Sequence, residues 1–277
     1  MSAPRILIIA GSDSGGGAGI QADIKTVTML GGHAMTAITA ITAQNTLGVQ
    51  GVMPVPADMV IAQIDSVVSD IGVDAVKIGM LGSAPTAHAV ADRLEHLPVP
   101  IIFDPVMVAT SGSSLVDEAT IDAFERLLRV ASVATPNVPE LGALARMNVR
   151  NEPDRDAAVE AVMDSTRCPA LLVTGGHALQ GQPPHEVHDC LYDADYNEHR
   201  WVSPRIDSEH THGTGCTLAS AIACGLGQGR SLHDSIDRAR IYVQLAIRAA
   251  PELGRGHGPM GHGLGTIPFD LIHSKSQ

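Results

Sequence analysis

The stretch THGTGCTLASAIA, residues 211–223, has the residue types of a phosphate-binding turn. Gly213 and Gly215 permit a tight turn, and the small residues after them predict a helix that packs closely on its neighbours. Backbone N–H groups at the start of such a helix point outward unpaired, so they can bind an anion such as phosphate. Cys216 falls in the first helical turn, where the helix dipole is expected to lower the pKa of its thiol. The pattern also fits a glycine-capped helix start with a small buried cysteine.

A second glycine-rich segment, AGSDSGGGAGIQAD at residues 10–23, follows a short apolar run. It does not end as a Walker-type loop does, because Lys25 follows Ile24 instead of a glycine. It also departs from the dinucleotide fingerprint, which needs an acidic residue about 20 positions further on. That place carries Gln44 and Asn45. These glycines therefore need an explanation other than the two familiar nucleotide-binding motifs.

Polar residues follow most of the apolar runs that have the length of a strand. Ligands of an open parallel sheet bind at the carboxyl ends of its strands, so we expect these residues to line one site. Asn137 and Glu140 have the spacing of a helix start, where a carboxylate can complement the helix dipole. The whole row consists of Gly11, Ser12, Asp13, Gln44, Asn45, residues 77–80, residues 104–106, Asn137, Glu140 and residues 174–176.

Strand-length apolar runs alternate with segments of helical period along the chain. RILIIAG, DAVKIGM and ALLVTG are apolar on both faces, whereas DEATIDAFERLLRV is amphipathic with a period of about 3.6 residues. This alternation predicts an α/β protein with a mostly parallel sheet covered on both sides. Around residues 185–205, HEVHDCLYDAD and EHRWVSPR predict an antiparallel hairpin that turns at Tyr196 and Asn197. No linker or repeat divides the chain, so we expect one domain over residues 1–277.

The composition argues against several classes of partner. A formal net charge of −12 disfavours nucleic acid and anionic membrane surfaces. The first apolar run is too brief for a signal peptide, and no stretch of about 18 apolar residues predicts a membrane span. The four cysteines form no CxxC pair or secreted framework, and the thirteen histidines show no zinc-binding spacing. We therefore expect a cytoplasmic protein with reduced thiols and small-molecule ligands.

Taken together, these segments resemble hydroxymethylpyrimidine/phosphomethylpyrimidine kinases, the thiamine-biosynthesis members of the ribokinase-like superfamily. The matching motifs, in order, are GSDSGGGAGIQADIKT, TAQNT, KIGML, DPVMVATSG, TPNVPEL, VTGGH, HGTGCTLASAIA and GHGP. They extend from Ile6 to about Pro259. The resemblance implies a three-layer α/β/α sandwich, with ATP as phosphate donor, Mg²⁺ as cofactor and a homodimeric assembly. The implied reaction phosphorylates 4-amino-5-hydroxymethyl-2-methylpyrimidine and then its monophosphate.

The resemblance also implies roles for individual residues. Cys216 stands where sugar kinases of the superfamily carry an aspartate base, so it would accept the hydroxymethyl proton at the turn of Gly213 and Gly215. Gln44 would hold the aminopyrimidine ring, because an amide offers a donor and an acceptor together. The other implied substrate-binding residues are Gly11, Asp23, Met80 and Val106. The implied ATP-binding residues are Asn137, Thr174, Gly213, Thr214 and Gly215, and the implied metal-binding residues are Glu140 and Asp104.

The chain departs from the family pattern at one position, and three alternative functions fit part of the sequence. Some relatives carry a lysine before the Gly-Gly of the late strand, where this chain has Thr174. A pyridoxal-type vitamin kinase also fits the TAQNT and GTGC residues, since its substrate is likewise a flat heteroaromatic alcohol. A dinucleotide oxidoreductase would need the missing acidic residue after TAITAIT. A non-catalytic nucleotide or vitamin sensor would have no need of Glu140 and Cys216.

Overall fold

The computed structural model describes residues 3–108, 115 and 117–264. Within this part of the chain the backbone forms one mixed sheet with helices on both faces. The strands are β1 (Arg5–Ser12), β2 (His33–Asn45), β3 (Gly48–Pro54), β4 (Ala75–Ile78), β5 (Ile101–Phe103), β6 (Val133–Ala134), β7 (Ala170–Val173), β8 (Glu186–Asp193) and β9 (Glu198–Pro204). The helices are α1 (Gly19–Met29), α2 (Ala57–Asp70), α3 (Ala84–Leu94), α4 (Glu118–Val130), α5 (Val138–Ala145), α6 (Glu152–Thr166), α7 (Thr214–Gly227) and α8 (Leu232–Arg248).

The sheet has the strand order β3-β2-β1-β4-β5-β6-β7-β8-β9. The strands from β2 to β7 along this order are parallel, while β3, β8 and β9 pair in the antiparallel sense. The predicted parallel sheet and the hairpin of β8 and β9 are therefore confirmed, with Tyr196 at positive φ in the turn. The sequence did not predict β3, because most of its residues are exposed and glycines interrupt its apolar pattern.

Alternate residues of β1 enter two separate layers of helices. Ile6 and Ile8 pack with apolar residues of α1, α7 and α8, and Leu7 and Ile9 pack with those of α2 to α6. A strand that is buried on both faces must be apolar at successive positions, which explains the continuous run in the sequence. The predicted three-layer α/β/α arrangement is confirmed.

The parallel strands end on one side of the sheet, and the polar row follows them there. Asp13 and Asp104 come directly after β1 and β5, and Asn137 starts α5 soon after β6. The strands that follow β1 in the chain, β2 and β3, lie on one side of it, and the next strand, β4, lies on its other side. The direction of the strand order therefore reverses between β1 and β4, and ligands of open α/β sheets bind at such a switch point. Among the described helices, none is both long and apolar enough to cross a membrane.

Candidate active site

The predicted phosphate-binding turn lies where α7 begins. Gly213 precedes the helix with a φ of 88°, in the left-handed region that favours glycine. A Cβ at Gly213 would lie 2.0 Å from the carbonyl oxygen of Gly17. Only glycine therefore allows this close contact between the two glycine-rich segments. We call residues 213–216 the phosphate turn and residues 13–18 the glycine loop; the contact joins them in one site beside the first N–H groups of α7.

Asp13 also joins these two segments, a role that the sequence analysis did not assign to it. Its buried carboxylate accepts hydrogen bonds from the backbone N–H groups of Gly15, Gly17 and Ala18 at 2.8, 3.0 and 2.8 Å. The carboxylate also lies 2.9 Å from Nε2 of His212, the residue before the phosphate turn. Burial raises the pKa of Asp13, but these hydrogen bonds outweigh it and hold the pKa below its ordinary value. An aspartate before a glycine run commonly caps a loop by accepting hydrogen bonds from the backbone N–H groups that follow it, and this pattern in the sequence could have predicted the role of Asp13.

Gln44 reaches the same place from the end of β2. Its backbone is held by Ser14 of the glycine loop, whose hydroxyl donates to the Gln44 carbonyl and accepts from the Gln44 N–H, both at 2.8 Å. One end of its side-chain amide lies 3.2 Å from the hydroxyl of Thr42, and the other end lies 3.2 Å from Nε2 of His212. Tertiary folding thus brings Gln44 together with both glycine-rich segments.

Cys216 lies in the first turn of α7, as predicted, but the pKa of its thiol is shifted in the opposite direction. Burial raises this pKa to about 12; the Lys77 ammonium opposes the rise, and the carboxylates of Asp104 and Asp23 add to it. The expectation that the helix start lowers the pKa is therefore wrong for the protein without ligands. Access is what distinguishes this thiol, because Cys216 is half-buried while the other three cysteines are buried.

A buried ion pair lies between α1, α7 and the sheet. Lys77 Nζ donates to Asp23 Oδ2 at 3.1 Å and lies 3.8 Å from Asp104 Oδ2. Ser220 of α7 donates to the other oxygen of Asp23 at 2.7 Å. Burial lowers the pKa of Lys77, but its carboxylate neighbours outweigh this effect and raise it, so the ammonium keeps its charge. Asp23, which we expected to line the substrate pocket, is instead fully buried, because it is the partner of this lysine.

The two carboxylates assigned to Mg²⁺ are both buried. Burial raises the pKa of Asp104 to about 6, although Lys77 opposes the shift. Burial and the charge of Asp104 raise the pKa of Glu140 to about 8. Among the described residues, none donates a hydrogen bond to the buried Oδ2 of Asp104. Two neighbouring buried acids, one with an oxygen that accepts no hydrogen bond, fit a hard cation such as Mg²⁺, which binds oxygen and retains water. The described residues contain no group of three or more His, Cys, Asp or Glu side chains that could hold a metal ion.

Asn137 and Glu140 form a capping box at the start of α5. The Asn137 side chain accepts from the N–H of Glu140, and Glu140 Oε2 accepts from the N–H of Asn137, both at 2.9 Å. The helix-start interpretation of this pair is therefore correct, and it is compatible with a role toward metal. Thr174 follows β7 and forms a parallel bridge with Asn137, so these two of the five residues assigned to ATP lie side by side.

The remaining substrate positions lie at the ends of the central strands. A Cβ at Gly11 would come within 2.7 Å of Cε of Met80, so glycine leaves the room that the methionine fills. Met80 is buried, and its carbonyl accepts from the hydroxyl of Thr39 at 2.6 Å. Val106 is half-buried. Residues 109–112 of the DPVMVATSG motif lie outside the described residues.

Sequence comparison places these features in a family. The family described as phosphomethylpyrimidine kinase matches residues 13–261 of the chain. A hydroxymethylpyrimidine/phosphomethylpyrimidine kinase of Streptomyces coelicolor is 48% identical over 262 residues, which cover 94% of each protein. The thiamine biosynthesis bifunctional protein ThiED of Geobacter sulfurreducens is 49% identical over 261 residues, or 93% of this chain. The match spans about half, 52%, of that longer relative.

Solved structures of two kinases share the fold. The ADP complex of Bacillus subtilis pyridoxal kinase is 32% identical, with a TM-score of 0.85 over 95% of this chain and 98% of that one. The phosphomethylpyrimidine kinase of Clostridium difficile 630 is 33% identical, with a TM-score of 0.76 over 88% of this chain and 99% of that one. These similarities confirm the ribokinase-like fold that the motifs predicted.

Proposed function

This chain belongs to the phosphomethylpyrimidine kinase family, and from that membership we propose that it phosphorylates 4-amino-5-hydroxymethyl-2-methylpyrimidine with ATP, and then the monophosphate. The chain is a kinase of thiamine biosynthesis, like its relatives of 48% and 49% identity. The observation that carries the proposal is that the Gln44 amide and Asp13 of the glycine loop both contact His212, the residue directly before the phosphate turn. This arrangement puts a group suited to the ring beside a group suited to the phosphate.

The chemistry follows from the residues that meet there. The amide of Gln44 would pair with a ring nitrogen and the adjacent exocyclic amine of the pyrimidine. The N–H groups of Gly215 and Cys216 would stabilise the phosphoryl group in transfer, whereas the N–H of Thr214 donates to the carbonyl of Thr211 at 3.3 Å. Cys216 would accept the proton of the attacking hydroxyl. Because its pKa is about 12, the thiolate is a strong acceptor but a scarce one. Positioning by the turn therefore contributes more than base catalysis, as a loose phosphoryl-transfer transition state allows.

The buried acids near the turn would hold the metal that accompanies the nucleotide. Asp104 and Glu140 would supply oxygen ligands, directly or through water, and Asn137 and Thr174, which lie side by side, would contact the ATP phosphates. When bound, Mg²⁺ neutralises phosphate charge. Gly11, Met80 and Val106 are proposed to line the pyrimidine side of the pocket, behind Gln44. Asp23 would act from the core through Lys77, since its side chain has no exposed surface.

A pyridoxal-type kinase activity is the second candidate. The observation that favours it is the structural similarity to Bacillus subtilis pyridoxal kinase, at a TM-score of 0.85. ADP release measured with hydroxymethylpyrimidine, its monophosphate, pyridoxal and pyridoxine tests both candidates. We expect turnover with the first two compounds. Preference for pyridoxal would overturn the assignment of substrate, and absence of ADP release with all four would favour a sensor.

Three further properties are proposed, the first from the family resemblance, the second from the cysteine pattern and the third from the absence of a linker or repeat in the sequence. These are a homodimeric assembly, a cytoplasmic location and a single domain over residues 1–277. Light scattering coupled to size-exclusion chromatography tests the first, because a dimer of a 28.9 kDa chain doubles the mass. Limited proteolysis that releases a stable fragment from within the sheet would contradict the third.

Removing the amide of Gln44 is expected to weaken binding of the pyrimidine and leave ATP binding nearly unchanged. Gln44→Ala leaves ring hydrogen-bonding groups unpaired, which costs about 1–3 kcal/mol. Steady-state kinetics should show this as a higher KM for the pyrimidine only. Gln63→Ala is the matched control. The Gln63 side chain hydrogen-bonds the backbone of Ile38, which lies in β2 like Gln44 but away from the phosphate turn. Equal increases in both KM values for Gln44→Ala would contradict a role in ring binding.

Neutralising Glu140 is expected to raise the Mg²⁺ concentration needed for activity. Glu140→Gln keeps an oxygen for the capping box but removes the charge, so half-maximal activity should need about 10- to 100-fold more Mg²⁺. Asp154→Asn is the control, because Asp154 follows Asn151 at the start of α6 with the same spacing, and the Asn151 side chain likewise accepts from its N–H. If the magnesium titration of Glu140→Gln overlays that of the parent, Glu140 serves only the helix start.

A further inference from the structure

His212 lies where the glycine loop, the phosphate turn and Gln44 meet. Its ring Nε2 is 2.9 Å from Asp13 Oδ2 and 3.2 Å from Gln44 Nε2. The residue is only 8% exposed, and its backbone N–H donates to the carbonyl of Gly258 at 3.3 Å. A Cβ at Gly17 would come within 2.6 Å of the ring carbon Cδ2. The imidazole therefore has little freedom to move away from either neighbour.

The hydrogen on this nitrogen is determined by Asp13. An ionised carboxylate can only accept hydrogen bonds, and Asp13 already accepts three from the glycine loop. Nε2 of His212 must therefore carry a hydrogen and donate it to Asp13. A nitrogen that donates cannot accept from the NH₂ group of Gln44, so the carbonyl oxygen is the end of the amide that belongs next to His212.

Thr42, at the other end of the amide, leads to the same orientation. Its hydroxyl has one hydrogen, which it donates to the carbonyl of Ser12 at 2.8 Å. The hydroxyl therefore has only lone pairs to offer Gln44, at 3.2 Å. The end of the amide that pairs with a lone pair is the NH₂ group. Two contacts on opposite ends thus favour one orientation, with the oxygen toward His212 and the nitrogen toward Thr42.

We propose that Asp13 and His212 are a positioning pair that orients the Gln44 amide and thereby selects the ring of the substrate. The inference rests on the proposed function, in which Gln44 binds the aminopyrimidine. An amide with one fixed orientation presents its donor and acceptor in a fixed order along the ring edge. An aminopyrimidine matches that order with a ring nitrogen beside an amine, whereas a pyridoxal-type ring has no such amine. Loss of the pair should therefore reduce discrimination between the two rings.

Substitutions of His212 test whether the hydrogen-bond donor is what matters. His212→Gln can place an NH₂ group near the position of Nε2, while His212→Met has similar length but no donor. We expect the methionine variant to raise the KM for hydroxymethylpyrimidine about tenfold, the size of one lost hydrogen bond. The ratio of kcat/KM for hydroxymethylpyrimidine to that for pyridoxal should fall by a similar factor. His212→Gln should recover most of both, and Asp13→Asn should behave like the methionine variant.

A double-mutant cycle with Gln44→Ala separates action through the amide from a loosened fold. If His212 acts through Gln44, His212→Met adds no further increase in pyrimidine KM when Gln44 is alanine. Independent effects that multiply would overturn the proposal. Asp193→Asn is the control, because Asp193 accepts the backbone N–H groups of Asp195 and Asn197 in the exposed hairpin turn, and it should match the parent.

Two other outcomes are distinguishable. An unchanged pyrimidine KM in Gln44→Ala alone would contradict the proposed function of Gln44, and this inference with it. A raised KM in Gln44→Ala with multiplying effects of His212 would overturn only the positioning pair. If His212→Met does not fold, the same cycle is run with Asp13→Asn and His212→Gln. Loss of ring discrimination in Asp13→Asn, together with its retention in His212→Gln, supports the positioning pair. Equal discrimination in both variants overturns it.

Discussion

Replacing Cys216 with serine is expected to lower kcat by about 10²- to 10⁴-fold, the usual contribution of a positioned general base. The serine hydroxyl is a far poorer proton acceptor near neutral pH than a thiolate. The KM values for ATP and pyrimidine should change much less, because the N–H groups of the phosphate turn and the Gln44 amide remain. The residual rate reports the positioning that the turn provides without a base.

Single-turnover kinetics of Cys216→Ser, Cys216→Asp and Cys224→Ser measure this effect. Cys224 lies deeper in the same helix and is fully buried, so its serine variant should keep the parental kcat per folded molecule. Cys216→Asp restores the usual base of the superfamily, but Asp104 lies nearby and opposes a second carboxylate. We therefore expect partial recovery over the serine variant. A parental rate in Cys216→Ser would make the thiol a small packed side chain and nothing more.

Replacing Lys77 with methionine is expected to destabilise the protein by about 3–5 kcal/mol, the cost of removing one partner from a buried ion pair. Asp23 and Asp104 would remain buried without the ammonium that lies 3.1 and 3.8 Å from them. Water would compensate little for the lost ammonium, because both carboxylates are at most 3% exposed. The effect is one of global stability, since Lys77 links the central strand β4 to α1 and, through Asp23 and Ser220, to α7.

Urea unfolding of Lys77→Met, compared with Arg126→Met, measures this effect. Arg126 pairs with Asp92 on the surface, where both side chains are exposed, so its loss should cost less than about 1 kcal/mol. Adding Asp23→Asn to Lys77→Met removes one of the stranded charges and should recover part of the loss. Equal unfolding midpoints for Lys77→Met and Arg126→Met would show that the buried ammonium contributes no more than a surface charge.

The position of Lys77 shows how much of the tertiary environment of a residue the alternation along a strand can predict. Its neighbours Val76 and Ile78 pack in the layer of α2 to α6, so alternation along the strand turns Lys77 toward α1 and α7. The pattern thus indicates the layer that a residue on a buried strand enters. The pattern does not indicate that Asp23 lies in the same layer, because the face of α1 that contacts the sheet depends on tertiary packing. Asp23 was accordingly expected at the pocket and lies instead in the core.

The sequence by itself determined the layers, the hairpin and the glycine turn before α7, because these features depend on local periodicity and on residues adjacent in the chain. It missed β3, an exposed edge strand without clear alternation. The order of the motifs also predicted the family, and the match of the family over residues 13–261 confirms that prediction.

Only the tertiary structure decided the electrostatics and the partners within the site. The raised pKa of Cys216 results from burial and from the nearby carboxylates of Asp104 and Asp23, which outweigh the Lys77 ammonium and the local helix start. The Asp13–His212 contact joins residues that are 199 positions apart. Burial and long-range hydrogen bonds depend on which elements pack together in space, and a pattern of neighbouring residue types contains no measure of that distance.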